Sequence, residues 1–238
     1  MRYSGKIALV TGATRGIGRA VALALGREGA HIVAVARNQG ALEELDDEIR
    51  KMGATTSLVP VDLKDFDAID RLGQVVHERF QKLDILIANA AILGSLSPIA
   101  HVDPDEWGQV LAVNVTANMR LIRAFDVLLR ASPAGRAIFV TSASSWLHKP
   151  YWGPYAASKA ALECVVKAYA AEISNTNLHA NLIAPGAVAT GMRAKAMPGE
   201  DQNTLAKPED LVPLFLELAD ESCPYNGELV DFTTRKTS

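Results

Sequence analysis

The feature that most constrains the fold is a regular alternation of short apolar runs with longer segments of helical periodicity. The runs are rich in Val, Ile and Leu, and those in the middle of the series are continuously apolar. Continuous apolarity is typical of parallel strands that helices cover on both faces. We therefore predict an α/β fold with a doubly wound parallel sheet of about seven strands and right-handed crossovers. The predicted strands are 7–11, 31–36, 57–61, 85–88, 136–141, 179–184 and 228–230, and the predicted helices are 16–28, 40–52, 65–80, 104–130, 154–173 and 208–219.

The length and composition fit one soluble domain. The 238 residues are 49% hydrophobic and 21% charged, without a repeat or a linker-like tract. We predict a single dinucleotide-binding domain over 1–238, in which the irregular segment 187–206 forms a lid over the substrate. The net charge of −3 gives no general attraction to nucleic acid or to a membrane surface. Because we find no secretory signal and no long apolar segment, we expect a cytoplasmic protein.

The two cysteines give no sign of a metal site or a disulfide. Cys164 and Cys223 lie far apart and match no known ligand spacing, so we predict that no metal is bound. Cys164 falls within an apolar run of helical periodicity, and we expect its thiol to be buried.

A glycine-rich turn joins the first predicted strand to the first predicted helix. Its glycines let the backbone turn tightly and approach a pyrophosphate, and the helix that follows offers free N–H groups to that anion. Because the turn stands at the required strand-to-helix junction, we predict that it binds a dinucleotide. The alternative is a turn whose glycines only let the strand and the helix pack. The residues that we assign to the cofactor here are Gly12, Thr14, Arg15, Gly16, Ile17 and Gly18.

The end of the second strand indicates which dinucleotide is preferred. NAD-binding sheets usually carry a carboxylate there for the adenosine ribose, whereas this strand ends in Ala36-Arg37-Asn38. Arg37 and Arg15 are suited to a 2′-phosphate, unless both are solvated surface charges. We therefore expect NADP(H) to be preferred, with NAD(H) open as an alternative. Asp62, after the third strand, is expected to accept a hydrogen bond from the adenine amino group, or else to cap the next helix.

A tyrosine and a lysine are placed for proton transfer. Tyr155 and Lys159 share one face of a predicted helix, so the ammonium group can lie near the phenol. A free phenol has a pKa of about 10, and a nearby cation together with an oxidised nicotinamide lowers that pKa toward the useful range. Ser142 follows the fifth strand, where it can stabilise charge on a substrate oxygen. The alternative for Ser142 is an ordinary loop hydroxyl, and a Tyr-x3-Lys pair alone is common.

Taken together, these residues resemble the short-chain dehydrogenase/reductase family, of the single-domain Tyr-x3-Lys type. The resemblance runs from about residue 5 to 231, and the long middle segment and the short C-terminal end also resemble a little-characterised bacterial branch of oxidoreductases. It implies a Rossmann-type sheet and an NADP(H)-dependent oxidoreductase that transfers a hydride between the nicotinamide and a carbonyl or alcohol substrate. The motifs that carry it are Thr11-Gly12-x3-Gly16-Ile17-Gly18, Asn89-Ala90, Asn114, Ser142, Tyr155-x3-Lys159 and Pro185-Gly186-x3-Thr190.

The resemblance also implies roles in catalysis. Tyr155 would be the general acid in carbonyl reduction and the general base in alcohol oxidation. Lys159 would bind the nicotinamide ribose and lower the pKa of Tyr155, and Ser142 would orient the substrate oxygen. Asn114 would hold a water that links Lys159 to a proton relay.

Further roles follow for the cofactor. Asn89 would fix the fourth strand beside it, and the segment from Pro185 through Gly186 to Thr190 would line the nicotinamide and the diphosphate. One position departs from the family pattern, because Ala91 stands where a glycine is usual. The added methyl group lies close to the expected cofactor position and could shift the backbone or weaken binding.

The substrate side and the assembly remain open in the sequence. The aromatic segment 146–152 forms either a pocket wall or a packing or subunit contact. Met192 and Met197 in the predicted lid favour a hydrophobic or amphipathic carbonyl substrate. The family resemblance favours a homodimer or homotetramer. The alternative function is a catalytically silent nucleotide-binding regulator, although the complete set of four catalytic residues argues against it.

Overall fold

The computed structural model describes residues 1–234 and the backbone of 236–237. Its strands are β1 (Ile7–Thr11), β2 (His31–Ala36), β3 (Thr56–Pro60), β4 (Ile85–Ala88), β5 (Arg136–Val140), β6 (His179–Ala184), β7 (Leu229–Asp231) and β8 (Lys236–Thr237). They form one sheet in the order β3-β2-β1-β4-β5-β6-β7-β8. The first seven strands are parallel, and β8 pairs antiparallel with β7.

Helices cover both faces of the sheet. They are α1 (Gly16–Arg27), α2 (Gln39–Lys51), α3 (Phe66–Phe80), α4 (Pro104–Leu111), α5 (Ala117–Ala131), α6 (Ser144–Leu147), α7 (Gly153–Glu172), α8 (Gly191–Ala196) and α9 (Val212–Leu218). The helices α3, α5 and α7 pack on one face, and α1, α2 and α9 pack on the other. The predicted doubly wound α/β sheet is therefore confirmed. Short 3-10 turns lie at Ile99–His101, Gln202–Thr204 and Pro208–Leu211.

The continuous apolarity of the strands follows from burial on both faces. Successive side chains of a strand point to opposite faces. In β5, Phe139 lies in the apolar layer beneath α3, α5 and α7, whereas its neighbour Ile138 lies in the layer beneath α1, α2 and α9. Both are fully buried. A side chain of this size contributes roughly 1.5–3 kcal/mol when it is buried, which gives both layers a strong drive to form.

The structure departs from the predicted elements in a few places. The predicted helix 104–130 is divided, because a π-helical turn at Ala112–Thr116 separates α4 from α5. Such a turn inserts one residue into the helix and leaves the apolar pattern on both sides intact, so periodicity did not indicate it. The helices α6 and α8 and the strand β8 are too short to produce a periodic pattern. Cys164 is exposed on α7, so the expectation that its thiol is buried was wrong.

The order of the strands determines where a ligand can bind. The chain leaves β1 toward β2 and then returns to place β4 on the other side of β1, which makes a topological switch point between β1 and β4. In open α/β sheets, ligands bind outside the carboxyl ends of the strands at this point. The segments that follow β1, β4, β5 and β6 all begin at this edge. No helix in the described residues is long and apolar enough to cross a membrane.

Candidate active site

The end of β1 is bonded directly to the end of β4. The Thr11 hydroxyl oxygen accepts hydrogen bonds from the backbone N–H groups of Asn89 and Ala90, each at 3.0 Å. The Asn89 side-chain amide donates to the carbonyl oxygens of Thr11 at 3.0 Å and Gly12 at 3.4 Å. These bonds satisfy backbone groups that the ladder leaves unpaired where the strands diverge. Asn89 therefore holds the switch point together.

The structure explains why glycines occupy the turn between β1 and α1. Gly12 and Gly16 have φ values of 65° and 55°, in the left-handed region that favours glycine. A Cβ on Gly12 would lie 2.9 Å from Asn89 Nδ2, and a Cβ on Gly18 would collide with the same atom and with the Gly12 carbonyl oxygen. The alternative that these glycines only let the strand and the helix pack therefore explains Gly12 and Gly18. It does not explain why the N-terminus of α1 is uncapped.

The first turn of α1 is open to an anion. Its N-cap residue, Arg15, makes no side-chain capping bond, whereas α2 and α3 are capped by Asn38 and Asp65. Among the described residues, the backbone N–H groups at the start of α1 thus keep the capacity to bind a phosphate, and the helix dipole favours negative charge there. Thr14 and Ile17 are half-buried within this turn. The turn fits the diphosphate of a dinucleotide.

The two residues expected around the adenosine lie at the ends of β2 and β3. The Arg37 side chain is 64% exposed, and its Nη1 lies 4.0 Å from Asp62 Oδ2. Asp62 also accepts a hydrogen bond from the backbone N–H of Lys64 at 3.0 Å. Because Asp65 caps α3, the alternative that Asp62 caps this helix is wrong. Arg15 and Arg37 are both exposed, so Arg15 can turn toward a phosphate, and Arg37 can do so by leaving its ion pair with Asp62.

The segment after β6 approaches the glycine turn. Pro185 and Gly186 leave the strand, and Gly186 has a positive φ of 71°. Thr190 caps α8 by accepting a hydrogen bond from the Arg193 N–H at 3.3 Å. A Cβ on Gly16 would lie 3.3 Å from Thr190 Cγ2, so this segment and the turn enclose the same space. Ala91 is half-buried in the loop after β4.

Tyr155 lies near the start of α7 with its hydroxyl in a buried environment. The residue is only 8% exposed. Burial raises the pKa of Tyr155 to about 12, and the hydrogen bond with the Ser142 side chain opposes this shift. The hydroxyl is therefore protonated at neutral pH. Ser142 also accepts a hydrogen bond from the Ser144 hydroxyl at 3.0 Å, which orients it at the end of β5.

Lys159 lies one helical turn after Tyr155 and is 2% exposed. Its Nζ is 5.7 Å from the centre of the Tyr155 ring and donates a hydrogen bond to the Val140 carbonyl oxygen at 2.7 Å. Burial lowers the pKa of Lys159 to about 8, and the negative charge of Glu163 opposes this shift. The ammonium group is therefore near the phenol and away from bulk solvent, as the sequence predicts.

Asn114 occupies the π-helical turn and is completely buried. Its side chain accepts a hydrogen bond from the Ile92 N–H and donates one to the Ile92 carbonyl oxygen, both at 2.9 Å. It donates a further bond to the Ser158 hydroxyl at 3.0 Å, and Ser158 in turn donates to the Tyr155 carbonyl oxygen. Asn114 therefore connects the loop after β4 with the helix that carries Tyr155. The water-holding role implied by resemblance stays a prediction.

Glu163 is a site residue that the sequence analysis did not single out. Its Oε1 accepts hydrogen bonds from the Thr141 hydroxyl at 2.5 Å and the Ser145 hydroxyl at 2.6 Å. These two residues flank Ser142, and Glu163 is one helical turn beyond Lys159. The available signal was a carboxylate four residues after the lysine, in an otherwise apolar stretch of helix. Glu163 therefore binds the turn that carries Ser142 and also places a negative charge near Lys159.

The aromatic segment and the predicted lid meet at Tyr155. The ring of Trp152 packs edge-on to Tyr155 with 6.0 Å between the ring centres, whereas Trp146 and Tyr151 are exposed. Residues 187–206 are closed at their base by the Ala189 N–H, which donates to the Ala206 carbonyl oxygen at 2.8 Å. The helix α8 within this segment packs against Tyr155.

Comparison with known proteins relates this arrangement to one family. The family model of the short chain dehydrogenases matches residues 6–201. YciK, an uncharacterised oxidoreductase of Escherichia coli K12, is 35% identical over 230 residues, which cover 95% of this chain and 91% of that protein. A short chain dehydrogenase from Salmonella enterica serovar Typhi has a TM-score of 0.93 and 34% identity, with coverage of 97% of this chain and 98% of that one. Another from Escherichia coli CFT073, complexed with NADPH, has a TM-score of 0.91 and 35% identity, with coverage of 97% of each chain.

These matches extend over nearly the whole chain. They include the glycine turn, the end of β5 and the helix with Tyr155 and Lys159. The Rossmann-type fold is confirmed by the structural neighbours, and the resemblance to a bacterial branch of oxidoreductases is confirmed by the similarity to YciK. The chain belongs to the short-chain dehydrogenase family.

Proposed function

We propose that the protein is an NADP(H)-dependent oxidoreductase that transfers a hydride between the nicotinamide and a carbonyl or alcohol substrate. The observation that carries this proposal is the buried Tyr155 hydroxyl, whose raised pKa the Ser142 side chain opposes and which has the Lys159 ammonium group one helical turn away. A phenol, a hydroxyl and a buried cation at the switch point of a dinucleotide-binding sheet form a proton-transfer site. The similarity to a short chain dehydrogenase complexed with NADPH supports the choice of coenzyme.

The cofactor would be held by the edge that the glycine turn forms. The free N-terminus of α1 at Gly16 would bind the diphosphate, and Arg15 and Arg37 would pair with a 2′-phosphate. Asn89 holds the strand ends beside this turn, and Thr190 lies next to Gly16. When bound, the dinucleotide supplies the hydride donor or acceptor. The role of Asp62 toward the adenine stays a prediction.

The protein's own residues would manage the proton. In carbonyl reduction, the protonated Tyr155 hydroxyl donates its proton to the substrate oxygen, while Ser142 hydrogen-bonds the same oxygen. The Lys159 cation stabilises the phenolate that remains, because the two groups are close in a site of low polarity. In alcohol oxidation, the same phenolate would accept the proton. With a pKa of about 12, Tyr155 stands in the form that reduction requires.

A carbonyl panel tests this function. We expect NADPH to be consumed with at least some ketones, aldehydes or quinones, and Tyr155→Phe to lower kcat by about 10²- to 10⁴-fold. Because the phenyl ring keeps the packing with Trp152, NADPH binding measured by tryptophan fluorescence should be unchanged. Unchanged turnover in Tyr155→Phe would contradict the mechanism. Binding of NADPH without turnover of any carbonyl would instead favour the catalytically silent regulator.

The choice of coenzyme is tested separately. We expect the wild type to bind NADPH more tightly than NADH, and Arg37→Ala to weaken NADPH binding alone, since NADH has no 2′-phosphate. Equal loss with both coenzymes would remove the role assigned to Arg37.

The substrate lid over residues 187–206, the cytoplasmic location and the homodimeric or homotetrameric state stay predictions.

A further inference from the structure

The side chains around Tyr155 form one apolar cluster. Three chain segments contribute to it: the loop after β4, the start of α7 and the helix α8. Leu93, Tyr155 and Ala196 are buried in it, and Leu96, Trp152 and Met192 pack against them. We call these six residues the Tyr155 cluster. The polar groups of the cluster are the Tyr155 hydroxyl and the Trp152 indole N–H, so a substrate oxygen that reaches the hydroxyl brings its other atoms mainly against hydrocarbon.

Exposed apolar side chains occur on the chain segments next to this cluster. Of the nine exposed large hydrophobic side chains of the described residues, five lie in the loop after β4, in α6 and the turn between α6 and α7, or directly after α8. They are Ile99, Trp146, Leu147, Tyr151 and Met197. The first two segments are joined where the Ser97 N–H donates to the Tyr151 carbonyl oxygen at 3.1 Å. Clustered exposed apolar side chains mark a binding surface rather than ordinary surface variation.

Two charged groups of the lid, Arg193 and Glu200, are paired with each other. Arg193 binds Glu200 through two bonds of 2.5 Å, from Nε and from Nη2. The Arg193 guanidinium lowers the pKa of Glu200, and Lys149 acts in the same direction. Arg193 does not require a substrate carboxylate as its partner, because both oxygens of Glu200 already accept its hydrogen bonds. The remaining cations of these segments, Lys149 and Lys195, are exposed.

We propose that this site takes an uncharged carbonyl compound whose remaining skeleton is bulky and apolar, and rejects analogues that carry a carboxylate on that skeleton. The proposal rests on the proposed function and names its substrate class. An apolar group that packs against the Tyr155 cluster gains up to about fourfold in affinity for each methylene that it buries. A carboxylate in the same place loses its hydration without gaining a partner, which is far more costly than the loss of a methylene.

A pair of ketones with substituents of similar size tests the proposal. In 4-isopropylcyclohexanone and 4-oxocyclohexanecarboxylate, both substituents are branched at the first carbon, and only the second is charged. With NADPH, we expect kcat/KM for the isopropyl compound to exceed that for the carboxylate by at least about 100-fold. Cyclohexanone, which lacks the substituent, should fall between them. An equal or reversed preference would overturn the proposal.

Two variants of one lid residue locate the selectivity. Met192→Lys places a cation against the Tyr155 cluster and should reduce the ratio between the two ketones at least about tenfold, because the carboxylate gains a partner. Met192→Leu keeps the apolar contact and should leave the ratio near that of the wild type. If both variants are folded by thermal unfolding and Met192→Lys leaves the ratio unchanged, α8 does not contact the substrate and the proposal is wrong.

Failure of the proposed function would be seen separately. In that case, no ketone would cause NADPH consumption in the wild type or in Tyr155→Phe. Binding of the same two ketones to the NADP⁺-saturated protein, followed by the change in tryptophan fluorescence, still tests the substrate class. Tighter binding of the isopropyl compound would support the apolar site, and equal or tighter binding of the carboxylate would overturn it.

Discussion

At the scale of single residues, Glu163 offers the sharpest separation of hydrogen bonding from charge. Glu163→Gln retains an oxygen acceptor for Thr141 and Ser145 and loses only the charge beside Lys159, whereas Glu163→Leu loses both. A buried hydroxyl without a partner costs about 1–3 kcal/mol, so the turn that carries Ser142 should loosen in the Leu variant. We expect kcat to fall about 10- to 100-fold in Glu163→Leu and less than tenfold in Glu163→Gln.

Steady-state kinetics with NADPH and a saturating ketone give kcat and KM separately for this comparison. Thr141→Val combined with Ser145→Ala removes the same two hydrogen bonds from the other side and should approach the kcat of Glu163→Leu. A loss confined to the KM for NADPH, or equal kcat values in the Gln and Leu variants, would contradict the positioning of Ser142 by Glu163.

At the scale of elements, the β1–α1 turn depends on close backbone packing. Gly18→Ala places a methyl group against Asn89 and the Gly12 carbonyl oxygen, so the start of α1 has to move. We expect the free energy of unfolding to fall by about 1–3 kcal/mol and NADPH binding to weaken. Gly108→Ala on α4 is the matched control, because a Cβ there has open space and should stabilise the protein by about 0.5–1 kcal/mol.

Urea unfolding and NADPH titration measure both glycine variants. If Gly18→Ala were as stable as the wild type and bound NADPH as tightly, the packing of α1 on Asn89 would not be required for the site. The sequence predicted this turn and its neighbouring elements well, because the strand-to-helix change in periodicity and the glycine spacing are local signals. The π-helical turn that holds Asn114 has no such local signal.

At the scale of the whole molecule, burial of Lys159 makes the stability of the domain depend on pH. The folded state has a lysine pKa of about 8, against a normal value of 10.5. Between these values, the unfolded chain binds a proton that the folded chain has lost, so the free energy of unfolding rises with pH. Below about pH 8, both states carry the proton and the burial cost is constant.

Lys159→Met removes this cost. We expect the variant to be more stable than the wild type near pH 7 by about 2–3 kcal/mol, with a smaller advantage at each step from pH 8 to 9.5. Urea unfolding at matched pH values measures the difference, and pH 10 is avoided because tyrosines begin to titrate. A difference that stays constant or grows with pH would contradict the lowered pKa. A gain in stability on removal of a functional residue is common at active sites.

The chain by itself determined the sheet, the glycine turn and the pairing of Tyr155 with Lys159, because each follows from side chains close together in sequence. The carboxyl edge of a parallel sheet then makes Ser142 a predictable neighbour. Tertiary structure alone decided that Glu163 bonds on both sides of Ser142 and that Met192 packs against the Tyr155 cluster. Those contacts join segments far apart in the chain, and their geometry depends on how the packed layers bring loop ends together, which no local periodicity records.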